Sequence, residues 1–258
     1  MKRDANGIST VEAEDLARWP RRSGDAHKWR SAVWIVAGSP GLYGAATLAA
    51  TGAFRAGAGY VTLSVPGSDA SIDPTEAVCR PIADVEWDRH GALVIGPGMN
   101  DRVVARAVLA GNALPAVVDA AAIAWFQGRS GPTILTPHDG EFQQLTGKPL
   151  GEDRVGAVKA TARDLDAIVL LKGPTTVIAD PAGQVYLVED GDARLATAGT
   201  GDVLSGVIGA GLALGLEPML AAALGAELHA VAATSPGALR SGFMASDLPL
   251  LIAKVLDG

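Results

Sequence analysis

The sequence predicts an α/β fold in which a mainly parallel central sheet carries helices on both faces. Three observations predict it. Short apolar runs alternate with helix-length segments from residue 32 onward, the pattern of successive βαβ units. Several of those runs, such as ALVIG (92–96) and AIVLL (167–171), are apolar throughout rather than alternating, as strands buried on both faces are. The 258 residues are 48% hydrophobic and 19% charged, with 32 glycines, enough for one large core joined by tight loops.

Residues 1–30 are polar and lack a clear period, so they are expected to form a loosely attached leader ahead of a folded domain spanning 31–258. That domain opens with the buried strand AVWIVAG (32–38), the loop SPGLYG, a small-residue helix AATLAATGAFRAGAG and the strand YVTLSV (60–65). The alternation continues through ALVIG, a helix near 101–112, PAVVD (115–119), a short helix, TILT (133–136), helices near 139–146 and 152–164, and AIVLL. TVIAD and QVYLV, separated by PAG, read as an antiparallel hairpin at a sheet edge. Three helices follow, near 202–215, 218–234 and 246–256. The first is apolar nearly all round and should be buried, with Gly206, Gly209 and Gly211 allowing close packing.

The formal net charge of −7 offers no general attraction to nucleic acid or anionic membrane. The Arg21-Arg22 pair reads as solvated surface. A lone Cys79 excludes a disulfide within the chain and any multi-cysteine metal site. MKRDANGISTVEAEDL lacks the charged-then-apolar layout of a signal peptide, and the 14-residue run VLSGVIGAGLALGL is too short to span a bilayer. The expected location is the cytoplasm, with small molecules as partners.

TAGTGDVLSG (197–206) carries the chemistry. Gly199, Thr200 and Gly201 permit a close turn, and the free amides of a helix starting there would form a site for an anion such as phosphate. Asp202 would lie in that positive field, which favours an ionised carboxylate able to take a proton from a hydroxyl; equally, it could simply cap the helix. Five loops decide between these readings. In an open parallel sheet the cleft lies beyond the carboxyl ends of the strands, where SPGLYGA, GPGMN, DAAA, TPHDGE and KGPTT all fall. Their convergence favours a site over a cap.

Lys172 ends a strand and precedes Gly173, Thr175 and Thr176, offering a cation and hydroxyls to phosphate or ribose oxygens. Gly96-Pro97-Gly98 permits close backbone approach to a ligand. In TPHDGE, His138, Asp139 and Glu141 crowd one strand end, and Glu141 could hold the waters of a Mg²⁺ ion bridging nucleotide phosphates. The patterns GxxxxGK[ST], HExxH and GxSxG are absent.

These stretches, with HK (27–28), AGSPGLYGAATLAATGAFRAGAGYVTLS (37–64), VVDA (117–120), LTPHDGEFQQLTG (135–147), LLKGPTTVIADPAG (170–183) and ATAGTGDVLSGVIGAGLALG (196–215), resemble the ADP-dependent NAD(P)H-hydrate dehydratases of the ribokinase-like superfamily. The resemblance implies a three-layer ribokinase-like fold. It also implies a repair reaction in which ADP phosphorylates the hydroxyl of hydrated nicotinamide in (S)-NADHX or (S)-NADPHX, phosphate leaves, and NADH or NADPH is restored with AMP. On that resemblance Asp202 is the base, Ala45, Gly98 and His138 line the hydrate site, and Lys172, Gly173, Pro174, Thr175, Thr176 and Gly201 contact the adenine nucleotide, ADP or ATP. Related sugar and vitamin kinases typically have Asn in place of His138, so the histidine separates the dehydratase from an ATP-dependent small-molecule kinase. Ala121 stands where the family commonly has a second acid, and Ala198 where it commonly has glycine, which keeps a third alternative, a nucleotide-binding regulator without turnover. Homo-oligomers are frequent in the family, and the leader resembles the tail that joins an epimerase domain to the dehydratase in fused relatives.

Overall fold

Strand side chains point alternately to two faces, so an apolar strand buries both only where helices cover each side. A computed structural model, describing residues 1–5, 7–21, 27–68 and 73–258, has this arrangement. In chain order its elements are β1 (Lys2–Arg3), β2 (Ile8–Thr10), β3 (Ala32–Val36), α1 (Tyr43–Arg55), β4 (Tyr60–Ser64), β5 (Val78–Cys79), β6 (Ala92–Ile95), α2 (Arg102–Ala110), β7 (Ala116–Val118), β8 (Thr133–Leu135), α3 (Asp139–Thr146), α4 (Arg154–Leu165), β9 (Ile168–Leu171), β10 (Thr176–Ala179), β11 (Val185–Val188), α5 (Thr200–Ala213), α6 (Pro218–Thr234) and α7 (Leu248–Asp257). Short 3₁₀ turns, among them Ala13–Arg18 and Ala120–Trp125, connect them.

The described residues form one sheet in the order β1-β2-β11-β10-β9-β8-β7-β6-β3-β4-β5. It is parallel from β9 through β5, while β10 is antiparallel to both of its neighbours. Val33, Ile35, Val94, Val117 and Leu170 pack on one side with α1, α5, α6 and α7, whereas Trp34, Leu93, Ile95, Val118 and Leu171 pack on the other with α2, α3, α4 and the 120–125 turn. The α/β class and its two helical layers are therefore as expected.

The amino-terminal segment departs from expectation. Instead of a loose leader, β2 pairs in parallel with β11 and β1 pairs with β2, so the β10–β11 hairpin lies inside the sheet rather than at its edge. Val11 and Trp19 are buried, and the Trp19 indole N–H donates to the Ala56 carbonyl at 2.9 Å. Strands of two and three residues are too short to show a period, and their pairing depends on backbone groups that composition does not reveal. Arg21 is exposed; Arg22 lies outside the described residues.

Helix α5 is buried on nearly every side, which requires close approach of neighbouring backbones. A Cβ built on Gly206 would overlap the Ala49 carbonyl of α1, and one on Gly52 would lie 2.7 Å from the Val203 carbonyl of α5. Gly209 meets Val94 of β6, and Gly211 meets Trp19. Gly206→Ala is expected to lower unfolding free energy by about 2 kcal/mol or more through overpacking. The control Gly44→Ala, in a helical position with open space around it, should be neutral or stabilising by about 0.5 kcal/mol. Denaturant melts of both variants check this, and equal midpoints would refute the crossing.

Candidate active site

Parallel strands end along one edge, so the residues that follow β3, β6, β7, β8 and β9 are neighbours in space. Hydrogen bonds extend the strand pairing past the ends of the strands. The Asp119 amide donates to Ile95 O (3.0 Å), that of Thr136 to Val118 O (3.2 Å) and that of Lys172 to Pro137 O (2.9 Å). This aligns Asp119, Thr136 and Lys172 along one rim. The Asp119 carboxylate, 2% exposed, takes hydrogen bonds from Lys172 Nζ at 3.1 Å and Thr136 Oγ1 at 2.8 Å on one oxygen, and from Ser205 Oγ at 2.8 Å on the other.

Helix α5 begins over this rim. Gly199 has φ of 94°, and a Cβ there would lie 2.6 Å from Leu48 and 3.0 Å from Ala245, so only glycine fits the turn. The Gly201 and Asp202 amides find no acceptor among the described residues, leaving two donors at the positive end of the helix. Lys172 Nζ stands 3.3 Å from the position a Gly201 Cβ would take. An ammonium and open amides thus face the same small volume, the arrangement of an anion site.

Asp202 lies in the first turn of α5 but does not cap it. Gly199 is the cap residue, and the Asp202 carboxylate takes no hydrogen bond among the described residues. Burial pushes its carboxyl up to about 7, Asp119 and Glu141 add to this by like-charge repulsion, and Lys172 pulls the other way. The helix field is expected to favour the ionised form, and burial with the two neighbouring carboxylates acts in the opposite direction. Burial is the largest of these influences, and it leaves a carboxyl that exchanges its proton near neutral pH. Burial alone would lower Lys172, yet Asp119, Glu141 and Asp202 hold it above the ordinary lysine value.

A cavity of about 600 Å³ opens beside this point. Lys172, Gly173, Pro174, Thr176, Thr200, Gly201 and His138 line it, with an apolar wall from Val188, Leu195, Leu204, Ala226 and Ala230. Thr175 does not line it, and the Thr200 hydroxyl is committed to the carbonyls of Leu195 (2.7 Å) and Thr197 (2.9 Å). Only the backbone of Thr200 remains near the anion site, and His229 Nε2 steadies its carbonyl at 2.9 Å. Burial holds His229 down at about 4, so the imidazole is neutral and its Nε2–H donates.

Ala45 and Gly98 meet each other, and neither lines this cavity. A Cβ on Gly98 would lie 2.7 Å from that of Ala45. Leu48, one turn after Ala45 on α1, reaches Gly199. His138 caps α3, its Nδ1 accepting the amides of Gly140 (3.0 Å) and Glu141 (3.3 Å), while its own amide donates to Glu141 Oε2 at 2.8 Å. Glu141 Oε2 also lies 3.8 Å from Lys172 Nζ, and its second oxygen accepts nothing among the described residues. Among those residues no three His, Cys, Asp or Glu side chains could enclose a metal. One free carboxylate oxygen could accept from a water of a Mg²⁺ ion whose ligands are water and phosphate.

Sequence reasoning missed Asp119, Thr136, Ser205 and Arg154, whose guanidinium holds the Lys172 carbonyl (3.1 Å) and Asp139 (3.0 Å). The acid opening the DAAA loop was the available signal for Asp119. Neither departure from the family pattern strains the backbone. Ala198 is exposed, and neither Ala198 nor Ala121 has a positive φ; the left-handed residue in this loop is Ala120, at 49°.

The sheet order, the helical layers and a helix amino end at the carboxyl edge make a ribokinase-like fold. The NAD(P)H-hydrate dehydratase family model matches residues 33–255, and the chain belongs to that family. It is similar to the bifunctional NAD(P)H-hydrate repair enzyme Nnr of Moorella thermoacetica, 41% identical over 265 residues, covering 89% of this chain and 50% of the relative. It is similar also to the ADP-dependent (S)-NAD(P)H-hydrate dehydratase of Bacillus subtilis, 35% identical over 219 residues, covering 77% of this chain and 78% of the relative. A solved ADP/ATP-dependent NAD(P)H-hydrate dehydratase from Bacillus subtilis, co-crystallised with ATP and Mg²⁺, superposes with a TM-score of 0.86 at 30% identity over 98% of this chain and 99% of that one. The chain spans about half the length of the bifunctional relatives it matches.

Burial holds the folded Asp202 carboxyl up to about 7, against 3.8 for a solvent-exposed aspartate. Between those values the folded state binds more protons than the unfolded state, so this group's contribution to stability declines as pH rises through that window and is level above it. Asp202→Asn should therefore melt progressively higher than the wild type from about pH 5 to about pH 8. Thermal melts at both values check this, and an unchanged difference would contradict a buried carboxyl at this point.

Proposed function

We propose that this chain catalyses ADP-dependent dehydration of (S)-NADHX and (S)-NADPHX, releasing NADH or NADPH, AMP and phosphate. The observation that carries the reading is Asp202, a base tuned near neutrality, beside the open amides of α5 and the Lys172 ammonium. The names of the Bacillus subtilis relatives support the nucleotide and the substrate.

In this mechanism Asp202 takes the proton of the substrate hydroxyl as that oxygen attacks the terminal phosphorus of ADP. The bond from phosphorus to the bridging oxygen breaks, and AMP leaves. The amides of Gly201 and Asp202 and the Lys172 ammonium stabilise the phosphoryl oxygens in flight. The ring carbon–oxygen bond of the phosphate ester then breaks, pushed by the lone pair of the ring nitrogen, so that inorganic phosphate departs, and loss of a proton from the neighbouring ring carbon restores the dihydropyridine. Phosphate is a far better leaving group than hydroxide, so one base and one anion site suffice to start the sequence. Mg²⁺ bound to the nucleotide, held through water by Glu141, would neutralise phosphate charge.

The nucleotide is assigned to the cavity lined by Lys172, Gly173, Pro174, Thr176 and Gly201, with Thr175 and the Gly199–Thr200 turn contributing beside it. The hydrated ring is assigned to the side bounded by Ala45, Gly98 and His138. Among the described residues no helix is long and apolar enough to cross a membrane; the cytoplasm and a homo-oligomeric assembly complete the proposal. Residues 1–30 are proposed, on the family resemblance, to derive from a linker to an epimerase domain, with an epimerase supplying the S substrate; the relatives of about twice this length are named bifunctional.

The test incubates the protein with NADHX, Mg²⁺ and either ADP or ATP while following the absorbance of reduced nicotinamide. NADH should appear from the S epimer only. A stable phosphorylated product without NADH would assign a kinase instead. Asp202→Asn should retain ADP binding and lose turnover by about a thousandfold or more at pH 8, because the proton acceptor is gone while the turn remains.

A further inference from the structure

Asp119 joins three elements that the reaction brings together. Its position at the end of β7 leaves the carboxylate 2% exposed, with no solvent to share its charge. One oxygen faces Lys172 Nζ at 3.1 Å and Thr136 Oγ1 at 2.8 Å; the other accepts from Ser205 Oγ at 2.8 Å. Ser205 is itself fully buried, one turn beyond Gly201, and lies 3.0 Å from the Gly201 carbonyl. A carboxylate satisfied by an ammonium and two hydroxyls in a dry site has fixed geometry, since any displacement would leave a buried charge without a partner.

We propose that Asp119 is a positioning residue of this site. Its carboxylate holds the Lys172 ammonium against the amino end of α5 and, through Ser205, fixes the helix turn that carries Asp202. The proposal rests on the dehydratase reading for its catalytic meaning, but not for its geometry. Lysine is a flexible point charge on a four-carbon stem, and the α5 amides alone do not select where it stands. Asp119 supplies that selection and places a negative charge near Asp202. The charged groups facing Asp202 are Asp119 beyond β7, Lys172 beyond β9 and Glu141 on α3; His229 on α6, neutral, faces the Thr200 carbonyl.

The test follows the Asp202 carboxyl directly by ¹³C NMR titration, assigned by its disappearance in D202N, in the wild type, Asp119→Asn and Ser205→Ala. Asp119→Asn keeps the shape and the Ser205 contact but removes the charge. It should move the Asp202 titration down by about one pH unit and carry the acid limb of kcat with it, while lowering kcat at least tenfold. Ser205→Ala should lower the melting temperature and leave the titration in place. A folded Asp119→Asn protein, shown by cooperative melting and retained ADP binding, with an unmoved Asp202 titration and an undiminished kcat would overturn the proposal. A wild type that titrates as described but produces no NADH from NADHX would overturn the proposed function alone.

Discussion

Helix α5 can lie against α1 and β6 only because glycine stands where their backbones and side chains meet. Gly206 faces the Ala49 carbonyl, Gly52 faces the Val203 carbonyl, and Gly209 faces Val94. This close approach brings the amino end of a buried, largely apolar helix down onto the carboxyl edge of the sheet. There its first amides have no helical acceptor, and the strand-end side chains of Asp119, Thr136 and Lys172 stand within reach. The geometry of the site follows from that packing rather than from any one catalytic side chain.

The electrostatics follow from the same placement. Three carboxylates, Asp119, Glu141 and Asp202, surround one ammonium in a partly desolvated volume. Asp119 is fully enclosed and hydrogen-bonded three times, so its charge is held in place. Asp202 takes no hydrogen bond among the described residues and has room beside it, so it is the group whose proton affinity yields. Two acids of one chemical type thereby stand in different surroundings, Asp119 enclosed by three donors and Asp202 with none among the described residues. The open amides and Lys172 then balance the charge an incoming phosphate would bring.

Much of the architecture was legible from residue order. The strands from AVWIV to QVYLV and the helices between them are nearly where period and turn chemistry put them, because a strand buried on both faces has to be apolar and the loops between such strands need glycine and proline. The amino-terminal strands were not legible. Ile8–Thr10 joins the sheet through its backbone pairing with Val185–Leu187, and three polar-flanked residues carry no period from which to infer a partner. The hairpin assigned to the edge was likewise covered by a strand from the far end of the chain.

At the site, the sequence by itself determined part of the membership: a glycine turn before an apolar helix, an acid in its first turn, a strand-end lysine and a histidine–glutamate pair, all at one edge of a parallel sheet. Side-chain type and the order of elements suffice for that. Only the tertiary structure decided the assignment of roles. It made His138 the cap of α3, turned the Thr200 hydroxyl inward, brought Asp119 and Ser205 together from 86 positions apart, and set the proton affinity of Asp202. These depend on burial and on charges from distant segments, and such fields arise only when the segments are packed together.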